Sequence, residues 1–465
     1  MGESKQPVVG IIGMGDMGRM YAKRLRAGGI ETIYVCDKPE SFEKLQAEFE
    51  GTDIIVLRDG HAVSRLSDFI IYSVEAAAIS PVVREYGPST KVGAVVAGQT
   101  SVKAPEKEAF EKWLPADVGI TSVHSLHGPS VTTEGQPLII IHHRGPESNV
   151  KMVEDVFRSF KSRYVHLSYE EHDSVTANTQ AVTHAAFLSM GTAWRHSAAY
   201  PWETTRYVSG VEVVKVNITL RIYAAKWHVY AGLALLNPSA QSQIKQYARS
   251  ATELFKLMIE NREAELSDRV WEAREKVFGW SKDHDPSSSK SSTSGSSSSS
   301  TFTTQHSPAD ERQPILLSED ILDQFSLGMK VAQDKESPNS HLSLLAMVDC
   351  WAKLGIRPYE HLAVAGTPVF MLWIGVAEYL FRSPSLVSSA IAAGLSDRIH
   401  RPDDVEFVVA ARGWSECVTF GNFDWYRKRF EETADFFSPR FEEATKLGGR
   451  MIKAIQEGQA VTSHK

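Results

Sequence analysis

Only three cysteines occur in 465 residues: Cys36, Cys350 and Cys417. They lie far apart, none forms a CxxC pair, and their odd number argues against a disulfide framework; a reducing, cytoplasmic compartment is expected. No run of five basic residues occurs and the formal net charge is −7, so neither nucleic acid nor an anionic membrane is an expected partner. Long apolar runs are missing too. The stretch "TPVFMLWIGVAEYLF" from Thr367 carries Glu378 and is too short to span a bilayer; it reads as a buried core helix. The opening "MGESKQPVVG" has no apolar secretory core. HExxH, GxxxxGK[ST] and GxSxG are all absent. His142 and His143 are adjacent at a strand end, and His124 with His127 lacks partners at zinc-site spacing, so no metal is expected.

What is present divides the chain in two. From Val8 to Tyr169, short β-branched runs recur ("VVGIIGM", "ETIYVCD", "DIIVL", "DFIIYSV", "KVGAVVAG", "VGITSVHSL", "PLIIIHH", "RYVHLSY"). Most are continuously apolar, as in strands buried on both faces, and several alternate with helical stretches. This predicts an α/β Rossmann domain over 1–169 with a parallel, doubly wound sheet. From 170 to 465 the texture turns to alanine, leucine and long polar residues at helical spacing, which predicts a mainly α-helical domain. Within it, "PSSSKSSTSGSSSSS" and the polar stretch after it, 286–313, are expected to form a disordered insertion. Helical pattern resumes at "LSEDILDQFSLGMK".

The motif "VVGIIGMGDMG" opens the first domain. Gly13 permits a tight turn out of the first strand, Gly15 lets backbone approach a pyrophosphate, and Gly18 allows the helix to pack on the strand. Met14, Asp16 and Met17 complete this turn, whose helix N-terminus faces the phosphates. The second strand ends in Asp37, where a ribose-binding carboxylate is expected. That acid favours NAD, whereas Lys38 and Arg19 offset its charge, so local chemistry leaves NAD and NADP open.

Ligands in such sheets sit beyond the C-terminal strand ends. Two of these ends are polar: Gln99, Thr100, Ser101 and Lys103 after one strand, and His124, Ser125 and His127 on another. Hydride transfer needs a base near the carbon that loses hydride, and His124 is suited to that role with Ser101 as its orienter. In the helical half His172 opens a helix, and Gln180 and His184, four residues apart, suggest a substrate wall. Lys215, Arg221 and Lys226 are candidate clamps for a substrate carboxylate, arginine being the better bidentate donor.

Taken together, "GQTSVKAPE", "VHSLHGPSVTTEGQPLIII", "YEEHDSVTANTQAVTHAAFLSMGTAW", "VKVNITLRIYAAKWHVYAGLALLNPSA" and "PNSHLSLLAMVDCWAKLGI" resemble the fungal prephenate dehydrogenases of tyrosine biosynthesis. The resemblance spans nearly the whole chain except the serine-rich stretch. It implies oxidative decarboxylation of prephenate to 4-hydroxyphenylpyruvate with NADP⁺ as acceptor, and a Rossmann domain joined to a helical domain that forms a homodimer. It also implies that His124 hydrogen-bonds the substrate ring hydroxyl with Ser101 beside it, that His184 lines the site, and that Arg221 binds a carboxylate. Lys215 and Lys226 stay open as alternatives for that last role. Arogenate dehydrogenase is the nearest competing reading. A β-hydroxyacid dehydrogenase would need a central-helix lysine pattern that no segment reproduces, and a non-catalytic dinucleotide sensor would lack the base and clamp.

Overall fold

The computed structural model describes residues 6–129, 131–198, 200–203, 210–286, 312, 314–316 and 339–463. The serine-rich stretch 286–313 falls almost wholly outside these residues, as does the helical pattern expected over 317–330. The apolar runs of the first half become strands β1 (Val9–Ile12), β2 (Ile33–Cys36), β3 (Ile54–Val56), β4 (Phe69–Tyr72), β5 (Val95–Gly98), β6 (Gly119–Ser125), β7 (Pro137–Arg144) and β8 (Arg163–His166). Helices α1 (Asp16–Ala27), α2 (Phe42–Phe49), α3 (Gly60–Leu66), α4 (Ile79–Tyr86), α5 (Ala104–Trp113), α6 (Ser148–Phe157) and α7 (Tyr169–Thr176) connect or follow them.

The strands form one sheet in the order β3-β2-β1-β4-β5-β6-β7-β8. Side chains alternate across a strand, and β1 shows why both faces are covered. Val9 and Ile11 join Tyr21 and Leu25 of α1, Phe49 of α2 and Phe157 of α6 in one core. Ile12 joins Val63 of α3, Val83 of α4 and Phe110 of α5 in another. The sheet is therefore doubly wound, as expected. Its pairing is parallel at every junction except β6–β7, which is antiparallel. Residues 126–136 join these two strands without a helix, and a parallel return needs a crossover, usually helical. α6 supplies one, and β8 runs parallel to β7.

This topology puts the C-terminal ends of β1, β4, β5 and β6 at one edge. The strand order reverses between β1 and β4, where such sheets open a crevice. The first compact unit comprises 1–177, 231–239 and 364–366. It extends past residue 169 because α7 is held there. A capping box starts α7: Ser168 Oγ accepts from Glu171 N at 3.1 Å, and Glu171 Oε2 accepts from Ser168 N at 2.7 Å. The α7 carboxylate Asp173 then accepts from the backbone at the start of α5. Asn237 Nδ2 donates to the Asp173 carbonyl at 2.8 Å.

The second unit comprises 178–230, 240–363 and 367–465 and is helical throughout its described residues. Its helices include α8 (Val182–His196), α9 (Gly210–Tyr223), α10 (Trp227–Leu235, which from Ala231 on belongs to the first unit), α11 (Ala240–Ile259), α12 (Glu263–Phe278), α13 (Leu342–Leu354), α14 (Pro358–Ala365), α15 (Pro368–Arg382), α16 (Pro384–Ser396), α17 (Arg401–Thr419), α18 (Phe423–Phe437) and α19 (Phe441–Ser463). α17 packs on α8 and α11, and α13 on α11 and α12. Buried Trp414 of α17 donates its indole N–H to Thr192 Oγ1 of α8 at 2.9 Å, the kind of partner a buried indole needs. The run from Thr367 is α15, capped by the Thr367 hydroxyl and buried along most of its length. Among the described residues no helix is long and apolar enough to cross a membrane.

Candidate active site

The glycine turn has the shape its spacing predicts. Gly13 has φ +100°, a conformation that L side chains rarely adopt. A Cβ on Gly18 would overlap the Gly13 carbonyl oxygen, so helix α1 can pack this closely on the turn only with glycine there. A Cβ on Gly15, by contrast, would meet nothing within 4 Å, leaving open space over the N-terminus of α1, where Asp16 is exposed and Met17 half-buried. These residues fit a dinucleotide pyrophosphate held by backbone N–H groups. Asp37 Oδ2 accepts from Met14 N at 3.0 Å and Oδ1 from Lys38 N at 2.7 Å, which braces the turn against the end of β2. Lys38 is exposed. Arg19 is engaged: Glu48 binds its guanidinium at 2.8–2.9 Å, an interaction that raises the Arg19 pKa and lowers that of Glu48.

A buried polar network lies along the ends of β5 and β6. Lys103 Nζ, fully buried, donates to the carbonyls of Gly98 (2.9 Å) and Val123 (3.0 Å) and to Glu106 (2.9–3.0 Å). Glu106 accepts in addition from Thr100 Oγ1 and Ser122 Oγ, both at 2.6 Å, and Ser122 Oγ lies 2.9 Å from Tyr169 OH. Because every partner is polar, a buried ion pair is tolerable here. Gly98 is glycine for steric reasons, since a Cβ would overlap the Glu106 carboxyl.

Next to this network stands His124, near the end of β6 and 7% exposed. Its Nδ1 lies 2.8 Å from Nε2 of His172, and His172 Nδ1 lies 2.9 Å from Asp173 Oδ1. Burial is the main cause that holds both imidazoles well below the usual histidine pKa, with the Lys103 charge adding to it. Burial also pushes the Asp173 carboxyl up to about 6, against the backbone N–H groups of Lys103 and Ala104 that favour its anion. Ser101 is half-buried in the loop after β5, and the imidazole nitrogen expected to meet its hydroxyl is bonded to His172 instead. Ser125 is turned elsewhere, 2.6 Å from Tyr21 OH. His127 bonds to the carbonyl of Gly128.

In the second unit a π-helical turn, Ala177–Ala181, precedes α8. Such turns are common at functional sites. Gln180 is half-buried there. The His184 ring packs edge-on against Tyr230, centroids 4.8 Å apart. Its Nδ1 is buried without a hydrogen-bond partner, and burial lowers its pKa to about 4. Arg221, near the end of α9, acts electrostatically on the Tyr230 phenol, and its methylenes lie beside Gly448 of α19. Among the described residues no carboxylate pairs with Arg221. Lys215 differs: it is 4% exposed and pairs with Glu212, which His341 Nδ1 and Asn339 Nδ2 also approach at 3.0 and 3.1 Å. Lys226 is exposed just before α10. No group of three or more metal-ligating side chains occurs among the described residues.

Comparison with known proteins places this arrangement. The sequence pattern of a 6-phosphogluconate dehydrogenase C-terminal domain, in its tyrosine-biosynthesis-like form, matches residues 181–293 and 295–457. That of the coenzyme F420-dependent NADP oxidoreductases matches 8–97. A probable prephenate dehydrogenase [NADP(+)] from Schizosaccharomyces pombe is 50% identical over 97% of both chains. The prephenate dehydrogenase [NADP(+)] of Saccharomyces cerevisiae is 49% identical over 96% of this chain and 94% of that one. The chain belongs to the prephenate dehydrogenase family. Among solved structures, the Aquifex aeolicus prephenate dehydrogenase with hydroxyphenyl propionate and NAD⁺ is 22% identical, covering 58% of this chain and 96% of that one with a TM-score of 0.46.

Three features of this prephenate dehydrogenase family member escape a reading of its sequence alone. The partner of His124 is His172, 48 residues away; the capping-box spacing of Ser168 and Glu171 marks the start of α7 and so the place of His172 and Asp173, but not what they face. The Lys103–Glu106 pair has helical i,i+3 spacing, which usually signals an exposed pair. Tyr230, the neighbour of His184, lies in an apolar run with no polar pattern to single it out.

Proposed function

We propose that this chain catalyses the oxidative decarboxylation of prephenate to 4-hydroxyphenylpyruvate with NADP⁺, a step of tyrosine biosynthesis. The observation that carries the reading is identity at half of all positions, over nearly the full length, to proteins named for that activity. His124 supplies the base. It accepts the proton of the substrate's ring hydroxyl as the C–H bond at the same carbon breaks. Bound NADP⁺ supplies the acceptor for that hydride. The bond to the ring carboxylate opposite then breaks, carbon dioxide leaves, and its electron pair completes the aromatic ring. The proton held on His124 returns to the oxygen, so prephenate and NADP⁺ are balanced by 4-hydroxyphenylpyruvate, carbon dioxide and NADPH. The backbone of Gly13, Met14, Gly15, Asp16, Met17 and Gly18 holds the pyrophosphate, with Asp37 and Lys38 toward the adenosine ribose. Arg221 holds a substrate carboxylate in preference to Lys215, whose charge Glu212 already neutralises. His184 and Gln180 line the substrate, and Ser101 faces its hydroxyl.

The test is NADPH absorbance with purified protein, prephenate or arogenate, and NADP⁺ or NAD⁺. Turnover of prephenate with NADP⁺ above the other combinations is expected. No reduction with prephenate, or a strong preference for arogenate, overturns the reading. His124→Asn should lower kcat by about 10²–10⁴, the usual share of a positioned base, with NADP⁺ affinity unchanged. We further infer a homodimer in the cytoplasm. The family resemblance supports the first and three buried, unpaired thiols the second; sedimentation of the purified chain tests the dimer.

A further inference from the structure

We propose that His172 and Asp173 are positioning residues that fix the tautomer of His124, leaving the lone pair of its Nε2 available to the substrate hydroxyl. The proposal rests on the reading of His124 as the base. The argument starts at groups that cannot be turned round. Lys103 N donates to Asp173 Oδ1 at 2.7 Å and Ala104 N to Asp173 Oδ2 at 2.8 Å. Two backbone donors at the N-terminus of α5 favour the carboxylate anion, which has only acceptor sites. His172 Nδ1, 2.9 Å from Oδ1, must therefore carry the hydrogen. A neutral imidazole has one N–H, so Nε2 of His172 is an acceptor. It faces His124 Nδ1 at 2.8 Å, and that nitrogen must donate. His124 is left with its lone pair on Nε2.

The same chain stabilises the product of proton transfer. When His124 takes the hydroxyl proton, its positive charge is met by the His172 lone pair and, through it, by the Asp173 anion. The other charged groups around it are Lys103, which opposes a charged imidazole, Glu106, which neutralises Lys103, His127 after β6, and Glu170 on α7. Two fully buried rings bonded in line to a carboxylate are more than a satisfied core contact requires, since one hydrogen bond would serve that end.

The experiment compares His172→Ala, His172→Gln and His124→Asn by kcat against pH, by NADP⁺ binding, and by ¹⁵N spectra of histidine-labelled protein. His172→Ala should lower kcat about 10–10³-fold, the range expected when a base is left in the wrong tautomer. It should also move the acid limb of the profile to lower pH, because His124 becomes a weaker base, with NADP⁺ affinity unchanged. His172→Gln, whose amide oxygen can accept from His124 Nδ1, should recover part of the loss. In the wild-type protein His124 should be protonated on Nδ1 and bare on Nε2. If His172→Ala keeps its kcat and acid limb while His124→Asn is impaired, the tautomer proposal falls and the base stands. If His124→Asn turns over normally, the base reading itself falls. Should His172→Ala not fold, the wild-type spectrum decides: a His124 ring protonated on Nε2 overturns the proposal.

Discussion

The two compact units treat buried charge in opposite ways. In the first, Lys103, Glu106, Ser122, Tyr169, Asp173, His172 and His124 are joined hydrogen bond to hydrogen bond. In the second, Lys215 is neutralised by Glu212, while Arg221 has no carboxylate among the described residues and His184 keeps a buried nitrogen unbonded. A network whose demands are met internally holds its members in one geometry. Polar groups whose demands are unmet are suited to a ligand that meets them. The first pattern fits residues that do chemistry at fixed atoms, the second residues that bind.

The contrast breaks most severely at Glu106. Glu106→Gln keeps the shape but leaves the buried Lys103 ammonium without its counter-charge, and should cost about 3–5 kcal/mol of stability in urea unfolding. A loss below about 1 kcal/mol would mean that the network relaxes around Lys103. Next comes the pair of cations in the second unit. Arg221→Ala should lower kcat/KM for prephenate about 10- to 100-fold, matching the roughly 1.5–3 kcal/mol of a charged hydrogen bond, with little change in thermal stability. Lys215→Met should do the reverse, lowering stability because Glu212 is left buried and unpaired. If the two variants exchange these effects, the assignment of the carboxylate clamp must move to Lys215. The smallest effect is expected at Ser168→Ala, which removes the cap of α7 and should cost about 1 kcal/mol in thermal unfolding with kcat nearly unaltered.

Much of the fold was legible because burial writes itself into composition. Each of the eight strands corresponds to an apolar run, and Gly13, Gly15 and Gly18 announce the turn that the backbone adopts. The direction of β7 was not legible, since a strand buried on both faces reads the same either way; only the helix-free connection before it, 126–136, carried the hint. The choice between Lys215 and Arg221 was hidden for a related reason. α9 is buried on nearly every side from Val211 to Leu220, so no amphipathic stripe fixes its rotation. At the candidate site, His124 stood out as a polar residue ending an apolar strand, whereas its partners could not: Asp173 acts by receiving N–H groups from residues 69 and 70 positions earlier.

That one carboxylate has a further consequence. Its two oxygens anchor the first turn of α5 and also orient the imidazole chain, so folding and proton handling draw on the same atoms. Drift at position 173 is penalised twice, and neither task can be traded against the other there. An attempt to retune the working pH of this protein would have to start at position 172, which contributes to the second task alone.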